Sequence, residues 1–180
     1  MNRMIEVETP SLLLRPIQDG DVQGIYELDS DPEVHRYLGN HPIKTMKEAE
    51  GIVAYIQEQY ETYGFGRWAV IDKESQEFVG WSGLKYETMV REDMDYNDLG
   101  YRLKRKFWGL GIATETSLEA LKFGFATLGL DEIYAGADVN NIGSNKVLQK
   151  VGMQQLEVFE YDGSPHHWYR IDREGWEKVG

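Results

Sequence analysis

Apolar and polar positions change rhythm several times along the chain, and each change predicts an element. Ser11-Leu12-Leu13-Leu14-Arg15-Pro16 is a short apolar run closed by proline, which reads as a first strand. Asp19 stands where a helix cap belongs, ahead of Val22, Ile25 and Tyr26 at helical spacing. Thr45-Met46-Lys47-Glu48 has the form of a capping box. Behind it Ala49, Ile52, Val53, Ile56 and Tyr60 fall on one stripe of a helix that stops near Gly64. Two strands, Arg67 to Ile71 and Phe78 to Tyr86, flank the polar turn Asp72-Lys73-Glu74-Ser75-Gln76. Gly80 and Gly83 inside the second predict a bulge or a close backbone approach. Met89 to Asp95 reads as an exposed acidic loop and Leu99 to Leu103 as a further strand.

From Gly109 to Leu128 the spacing is helical again. Leu118, Leu121, Phe125 and Leu128 line one face, and Glu115, Glu119 and Lys122 the other. After Gly129 come a strand, Ile133 to Val139, and a helix from about Ile142 to Val151 with Gly152 as its C-cap. Met153 to Tyr161 and His167 to Ile171 form a hairpin around Asp162-Gly163-Ser164-Pro165. The order β-α-α-β-β-β-α-β-α-β-β, with no repeat and no linker, predicts one α/β domain over residues 1–180.

Composition narrows this picture. With 41% hydrophobic residues the chain has enough apolar mass for a core. No apolar run reaches the roughly 18 residues of a membrane span. Met1-Asn2-Arg3-Met4-Ile5-Glu6 lacks the apolar stretch of a signal peptide, so a soluble, cytoplasmic protein is expected. The absence of cysteine excludes disulfides, Cys-based metal sites and a Cys nucleophile. A formal charge of -12 disfavours nucleic-acid binding and favours attraction of a cationic substrate. His35, His41, His166 and His167 have no metal-ligand spacing, so no metal is expected and they read as surface or substrate-pocket residues. Tyr101, Trp68, Trp81 and Trp168 read as core residues, with a pocket role open for one of them.

The chemistry concentrates at Trp108-Gly109-Leu110-Gly111-Ile112-Ala113-Thr114-Glu115, which joins a strand to the long helix. Glycines let backbone pass close to a ligand, and the first turn of a helix offers unpaired N–H groups and the positive end of a dipole. Such a unit is either a plain tight turn or a pyrophosphate cradle. It is not a Walker loop, lacking Gly-Lys-Ser/Thr, nor the dinucleotide fingerprint, lacking a third glycine and a downstream acid.

Trp108 to Glu115 resembles the coenzyme A pyrophosphate motif of the GNAT superfamily, in particular its RimJ/RimL-like branch of ribosomal-protein N-acetyltransferases. The likeness continues through Thr9 to Pro16, through Gly100-Tyr101-Arg102-Leu103, and through Asn141-Ile142-Gly143-Ser144 with Val147-Leu148-Gln149-Lys150-Val151-Gly152-Met153. Trp108 stands where the superfamily often has Gln or Arg, and Met153 where it has Phe. The resemblance implies an α/β GNAT fold: a single mixed, mostly antiparallel sheet of about seven strands, splayed between the fourth and fifth and flanked by about four helices. It implies acetyl-CoA as co-substrate. Tyr101, Arg102 and Leu103 would offer a strand edge to pantetheine. Gly109, Leu110, Gly111, Ile112, Ala113 and Thr114 would hold the pyrophosphate. Asn141 would cap its helix, touch pantetheine, or both. By the same resemblance Ser144 is the general acid to the CoA thiolate; on its residue type alone it could equally stabilise its helix turn. Glu160, with Glu157, is a candidate base, against a plain solvated strand face. The acceptor is expected to be a primary amine, a peptide or protein N-terminal α-amine by preference. A small amine (polyamine, amino acid or aminoglycoside) is the alternative, and a non-catalytic acyl-CoA-binding regulator a distant one. Relatives in the branch imply a homodimer.

Overall fold

The structure, a computed structural model, describes residues 5–179, so the reading of Met1 to Met4 falls outside it. Its elements are β1 (Val7–Glu8), β2 (Leu12–Pro16), α1 (Val22–Asp29), α2 (Met46–Tyr63), β3 (Arg67–Asp72), β4 (Phe78–Glu87), β5 (Tyr96–Leu103), α3 (Ile112–Lys122), β6 (Glu132–Asp138), α4 (Ile142–Lys150), β7 (Gln154–Tyr161), β8 (Ser164–Asp172) and α5 (Arg173–Val179). The eight strands form one sheet in the order β1-β2-β3-β4-β5-β6-β8-β7. Every pair is antiparallel except β5 with β6.

This is the mixed, mostly antiparallel α/β sheet expected, with one strand and one helix more. Val7–Glu8 is too short to show a period, yet it pairs with β2. The other extra element, α5, is held by tertiary contacts: Trp176 stacks on Phe125, and Arg173 donates to the Phe125 and Leu130 carbonyls.

Local signals set most boundaries. The Thr45 hydroxyl accepts from the Glu48 N–H, and Glu48 accepts from the Thr45 N–H at 2.8 Å, a reciprocal box that starts α2. Left-handed Gly64 ends it. Asp19 does not cap α1, contrary to expectation. Residues 19–21 form a 3₁₀ turn first, and the Asp21 carboxylate accepts from the Gln18 N–H and from Arg15, each at 2.8 Å. The long helix begins at Ile112 rather than Gly109 because Gly109 and Gly111 both have positive φ. It ends in a π-turn over Phe123–Thr127, closed by the Leu128 N–H on the Phe123 carbonyl. The hairpin turn is only Asp162-Gly163, both at positive φ, so β8 starts at Ser164 rather than His167.

Both sheet faces are covered. α1 and α2 pack Ile25, Val53 and Ile56 against Ala69 and Ile71. On the opposite face α3 and α4 bring Leu121 and Leu148 onto a core that includes Trp68, Val70 and Leu99. Trp68 and Trp168 are buried, as expected. Between Val70 and Ile71 the β3–β4 register shifts, leaving Val79 as the extra residue beside Gly80. A side chain at Gly80 would strike the Arg102 carbonyl, so β5 runs hard against this bulge.

Candidate active site

Parallel strands β5 and β6 share a single ladder pair, Asp98 with Tyr134. Beyond it they part. A cavity of about 610 Å³ fills the gap, walled by Leu99 to Leu103 on one side and Gly136 to Asp138 on the other. β5 remains fully paired with β4 on its far side, so its near edge is open toward the cavity.

Two helix starts face the same space. In α3 the first helical bond runs from the Glu115 N–H to the Gly111 carbonyl, so the amides of Ile112, Ala113 and Thr114 precede the ladder. All three residues line the cavity with Gly109 and Gly111. A Cβ at either glycine would meet nothing within 4 Å. Their backbone angles, φ 74° and 80°, are therefore what requires glycine here, rather than crowding. Leu110 between them is 66% exposed and does not line the cavity. Trp108 does, with its indole N–H fixed on the Leu103 carbonyl at 2.9 Å.

At α4, Asn141 is the cap, its side-chain oxygen accepting from the Ser144 N–H at 3.2 Å. The Ser144 hydroxyl is thus not the cap. It lies 2.8 Å from the Tyr101 hydroxyl, across the splay, and both residues line the cavity. Burial pushes the Tyr101 phenol up to about 12, against the opposing pull of its bond to Ser144, so it keeps its proton at neutral pH. Asn145, which sequence reasoning missed, braces this turn. Its amide donates to the Asp138 and Asn141 carbonyls, and its oxygen accepts from Tyr169 at 2.7 Å and His167 at 2.8 Å.

On the α1/α2 face, Trp81 pairs across strands with Arg102 and has two guanidinium groups within cation–π distance of its ring, Arg67 at 5.1 Å and Arg102 at 5.2 Å. Arg67 donates to the Gly83 and Asp98 carbonyls and to the Asp98 carboxylate at 2.5 Å. A side chain at Gly100 would strike its guanidinium, so that glycine is the notch through which Arg67 reaches Asp98. Burial raises the Asp98 carboxyl, opposed by the Arg67 charge. Arg102 donates to Asp29 at 2.5 Å, and His35 bonds the same oxygen at 3.0 Å. Burial would lift the Asp29 carboxyl, but the His35 bond and the Arg102 charge outweigh it and hold it low.

Trp81 and Tyr101 therefore line the cavity rather than fill the core, and His35 is buried rather than at the surface. His166 lines the cavity; His41 is exposed. Glu160 is not brought to the site: it lies exposed on β7 opposite Pro165, and Glu157 pairs outward with Arg91 at 2.7 Å. Glu33, Val34, Tyr37 and Leu38, between α1 and α2, also line the cavity. Gly39 lies close against the Asp162 carboxylate at the tip of the β7–β8 hairpin.

Residues 11–154 match the sequence profile of the acetyltransferase (GNAT) domain. The chain belongs to the GNAT family. It is 28% identical to the uncharacterized N-acetyltransferase YoaA of Bacillus subtilis (strain 168), over 89% of this chain and 91% of that one. It is 30% identical to the FsC-acetyl coenzyme A-N(2)-transacetylase of Aspergillus fumigatus, over 94% of this chain and 77% of that one. The crystal structure of ribosomal-protein-S5-alanine acetyltransferase from Vibrio fischeri superposes with a TM-score of 0.76 at 17% identity, covering 96% of this chain and 98% of that one. The chain is thus an acetyl-CoA-dependent N-acetyltransferase of GNAT fold, with structural neighbours in the RimJ/RimL-like branch. Among the described residues no group of three His, Cys, Asp or Glu could hold a metal ion, and no helix is long and apolar enough to cross a membrane.

Proposed function

We propose that the chain works as one domain over residues 1–180 and acetylates a primary α-amine inside the cavity between β5 and β6. The observation that carries this reading is the pair of hydroxyls, Ser144 and Tyr101, 2.8 Å apart on the wall of the cavity that the open β5 edge also lines.

The chemistry follows from the site residues. The open edge at Tyr101, Arg102 and Leu103 suits an extended pantetheine arm, and the free amides of Ile112, Ala113 and Thr114, behind the turn at Gly109 and Gly111, suit the pyrophosphate. The neutral amine attacks the thioester carbon. A C–N bond forms, the C–S bond breaks, and the thiolate leaves. Ser144 gives its hydroxyl proton to the sulfur and takes the phenol proton of Tyr101 in its place; the proton that the attacking nitrogen loses on becoming an amide passes through solvent and restores Tyr101, so the site ends as it began. No step is given to Glu160, which faces solvent. The α-amine suits a site without a strong base. With a pKa of about 7.7–8.0 roughly one in ten is neutral at pH 7, against about one lysine in 2,500.

A peptide N-terminus is the first acceptor reading. A small amine is the second, favoured by the A. fumigatus relative, whose name describes an N(2)-transacetylase. The test is thiol release from acetyl-CoA with three acceptors: a lysine-free peptide with a free N-terminus, the same peptide blocked and carrying one lysine, and a set of small amines. Preference for the blocked lysine peptide refutes the α-amine reading. Preference for a small amine over the free peptide replaces the first reading with the second.

A further inference from the structure

The two arginines near the Trp81 ring are not equivalent. The Arg67 guanidinium makes three hydrogen bonds to the protein, two to carbonyls and one to a carboxylate. That pair is a strut between β3 and β5. Among the described residues the Arg102 side chain has one hydrogen bond, from Nη1 to Asp29. Its Nε is buried without a partner, and Nη2 makes no hydrogen bond to protein among the described residues. A guanidinium carries five N–H donors in a rigid fork, and leaving a buried donor unpaired costs about 1–3 kcal/mol. Nη2 is therefore the donor left free, on a side chain that lines the cavity and is 22% exposed, while Nε is enclosed by the protein.

The guanidinium is also held still. Asp29 is fully buried at the end of α1, and His35 bonds the oxygen that takes Arg102. The Trp81 ring supports the guanidinium from one face. Stability does not explain the arrangement, since a buried ion pair is commonly no better than apolar residues of similar volume. A fixed guanidinium with one free donor suits recognition of an oxygen acceptor. It lies on the α1/α2 face of a cavity that Glu33 and Tyr37 also line, and the proposed reading makes this the side the acceptor enters. The opposite face holds Tyr101 and Ser144.

We propose that Arg102 is the specificity-determining residue for the acceptor, and that its free Nη2 donates to the carbonyl or carboxylate oxygen attached to the carbon bearing the reactive amine. The acceptor class is then α-aminoacyl: a free amino acid through its carboxylate, or an amino-acid amide, ester or peptide N-terminus through its carbonyl. Plain amines and polyamines, which lack that oxygen, leave Nη2 unpaired and are poor acceptors. This inference deepens the proposed acetyl transfer to an α-amine and rests on it.

The experiment is thiol release by wild-type, Arg102→Met and Arg102→Lys proteins with four acceptors: an amino acid, its amide, a short lysine-free peptide, and the amine left when the carboxyl group is removed from that amino acid. One charge-assisted hydrogen bond predicts about a 10–100-fold higher kcat/KM for the best aminoacyl acceptor than for the decarboxylated amine. The better of the amino acid and the amide identifies carboxylate or carbonyl as the source. In Arg102→Met the ratio falls to near one, because the acceptor KM rises more for the aminoacyl acceptors than for the decarboxylated amine. Arg102→Lys keeps a charge for Asp29 without the planar fork, so it loses most of the ratio and supplies the measurement if the Met variant does not fold. An unchanged ratio in either folded variant overturns the assignment, as does an equal loss with all four acceptors. Efficient use of the decarboxylated amine by wild type overturns the aminoacyl class and leaves acetyl transfer standing. No thiol release with any amine overturns both.

Discussion

Replacing Ser144 by alanine separates a catalytic hydroxyl from a structural one, because the structure gives the cap to another residue. The Ser144 N–H is held by Asn141, and alanine keeps that N–H. What the substitution removes is the 2.8 Å contact with the Tyr101 hydroxyl. A neutral hydrogen bond contributes about 0.5–1.5 kcal/mol, and the cavity leaves room for water at the vacated position, so the stability loss should be about 1 kcal/mol. At this chain length that is a fall of about 2–4 °C in Tm. A lost general acid costs ~10²–10⁴-fold in rate. At 1.36 kcal/mol per tenfold the barrier rises by about 2.7–5.4 kcal/mol, several times the change in stability. The assay is thiol release at saturating acetyl-CoA and acceptor, with KM for each and a thermal melt on the same preparation. The expected result is a large fall in kcat with KM for acetyl-CoA little changed. An acyl donor whose thiol has a lower pKa needs less help in leaving and should recover much of the lost rate. A variant with near-normal kcat and a lowered Tm would make Ser144 structural, and failure of the better leaving group to rescue would assign the loss to another step.

Other residues give independent checks. Gly111→Ala forces a side chain into a left-handed position, at about 1–2 kcal/mol, and should raise the Kd for acetyl-CoA in calorimetry; unchanged affinity would remove the turn from the cofactor site. Asn145→Ala unties the Asp138 and Asn141 carbonyls, Tyr169 and His167 together, so both Tm and kcat should fall, whereas a loss of Tm alone would show that the Ser144 turn holds without it. Arg67→Met leaves Asp98 without its cation and should cost about 3 kcal/mol near neutral pH. Burial raises the folded pKa of Asp98, so the ionised form costs stability as pH rises through that value, and removing Arg67 raises it further. The Tm deficit of the variant should therefore shrink as the buffer is made acid, and a deficit independent of pH would show that Asp98 is not the group responsible.

Features set within a few residues were legible from the chain alone. The Thr45–Glu48 box, the stop at Gly64, the Asn141 cap and the positive-φ turn around Gly109 and Gly111 depend on neighbours no more than four positions apart, and their residue types state the backbone geometry they need. The helical stripes of α2 and α3 likewise announce which face is apolar, and the order of elements with the glycine turn was enough to suggest the family. Even locally there were limits. Asp19 looks like a cap but lies in a 3₁₀ turn, and α5 has too little apolar pattern to be seen without Phe125 beneath Trp176.

The site itself is made of pairs that no spacing reveals. Arg67 and Asp98 are 31 residues apart, Tyr101 and Ser144 43, and Arg102 and Asp29 73. Which side chains meet across a sheet is fixed by register, and a shift of one residue sends every side chain to the other face. The pairing of Trp81 with Arg102 depends on register, as does the separation of Arg102 from Tyr101 onto opposite faces. Glu160 fails for the same reason: it sits on the expected strand, but that strand is at the sheet edge and the residue faces solvent. Residue types state what the chain can do locally; only the assembled sheet decides which of them share the gap between β5 and β6.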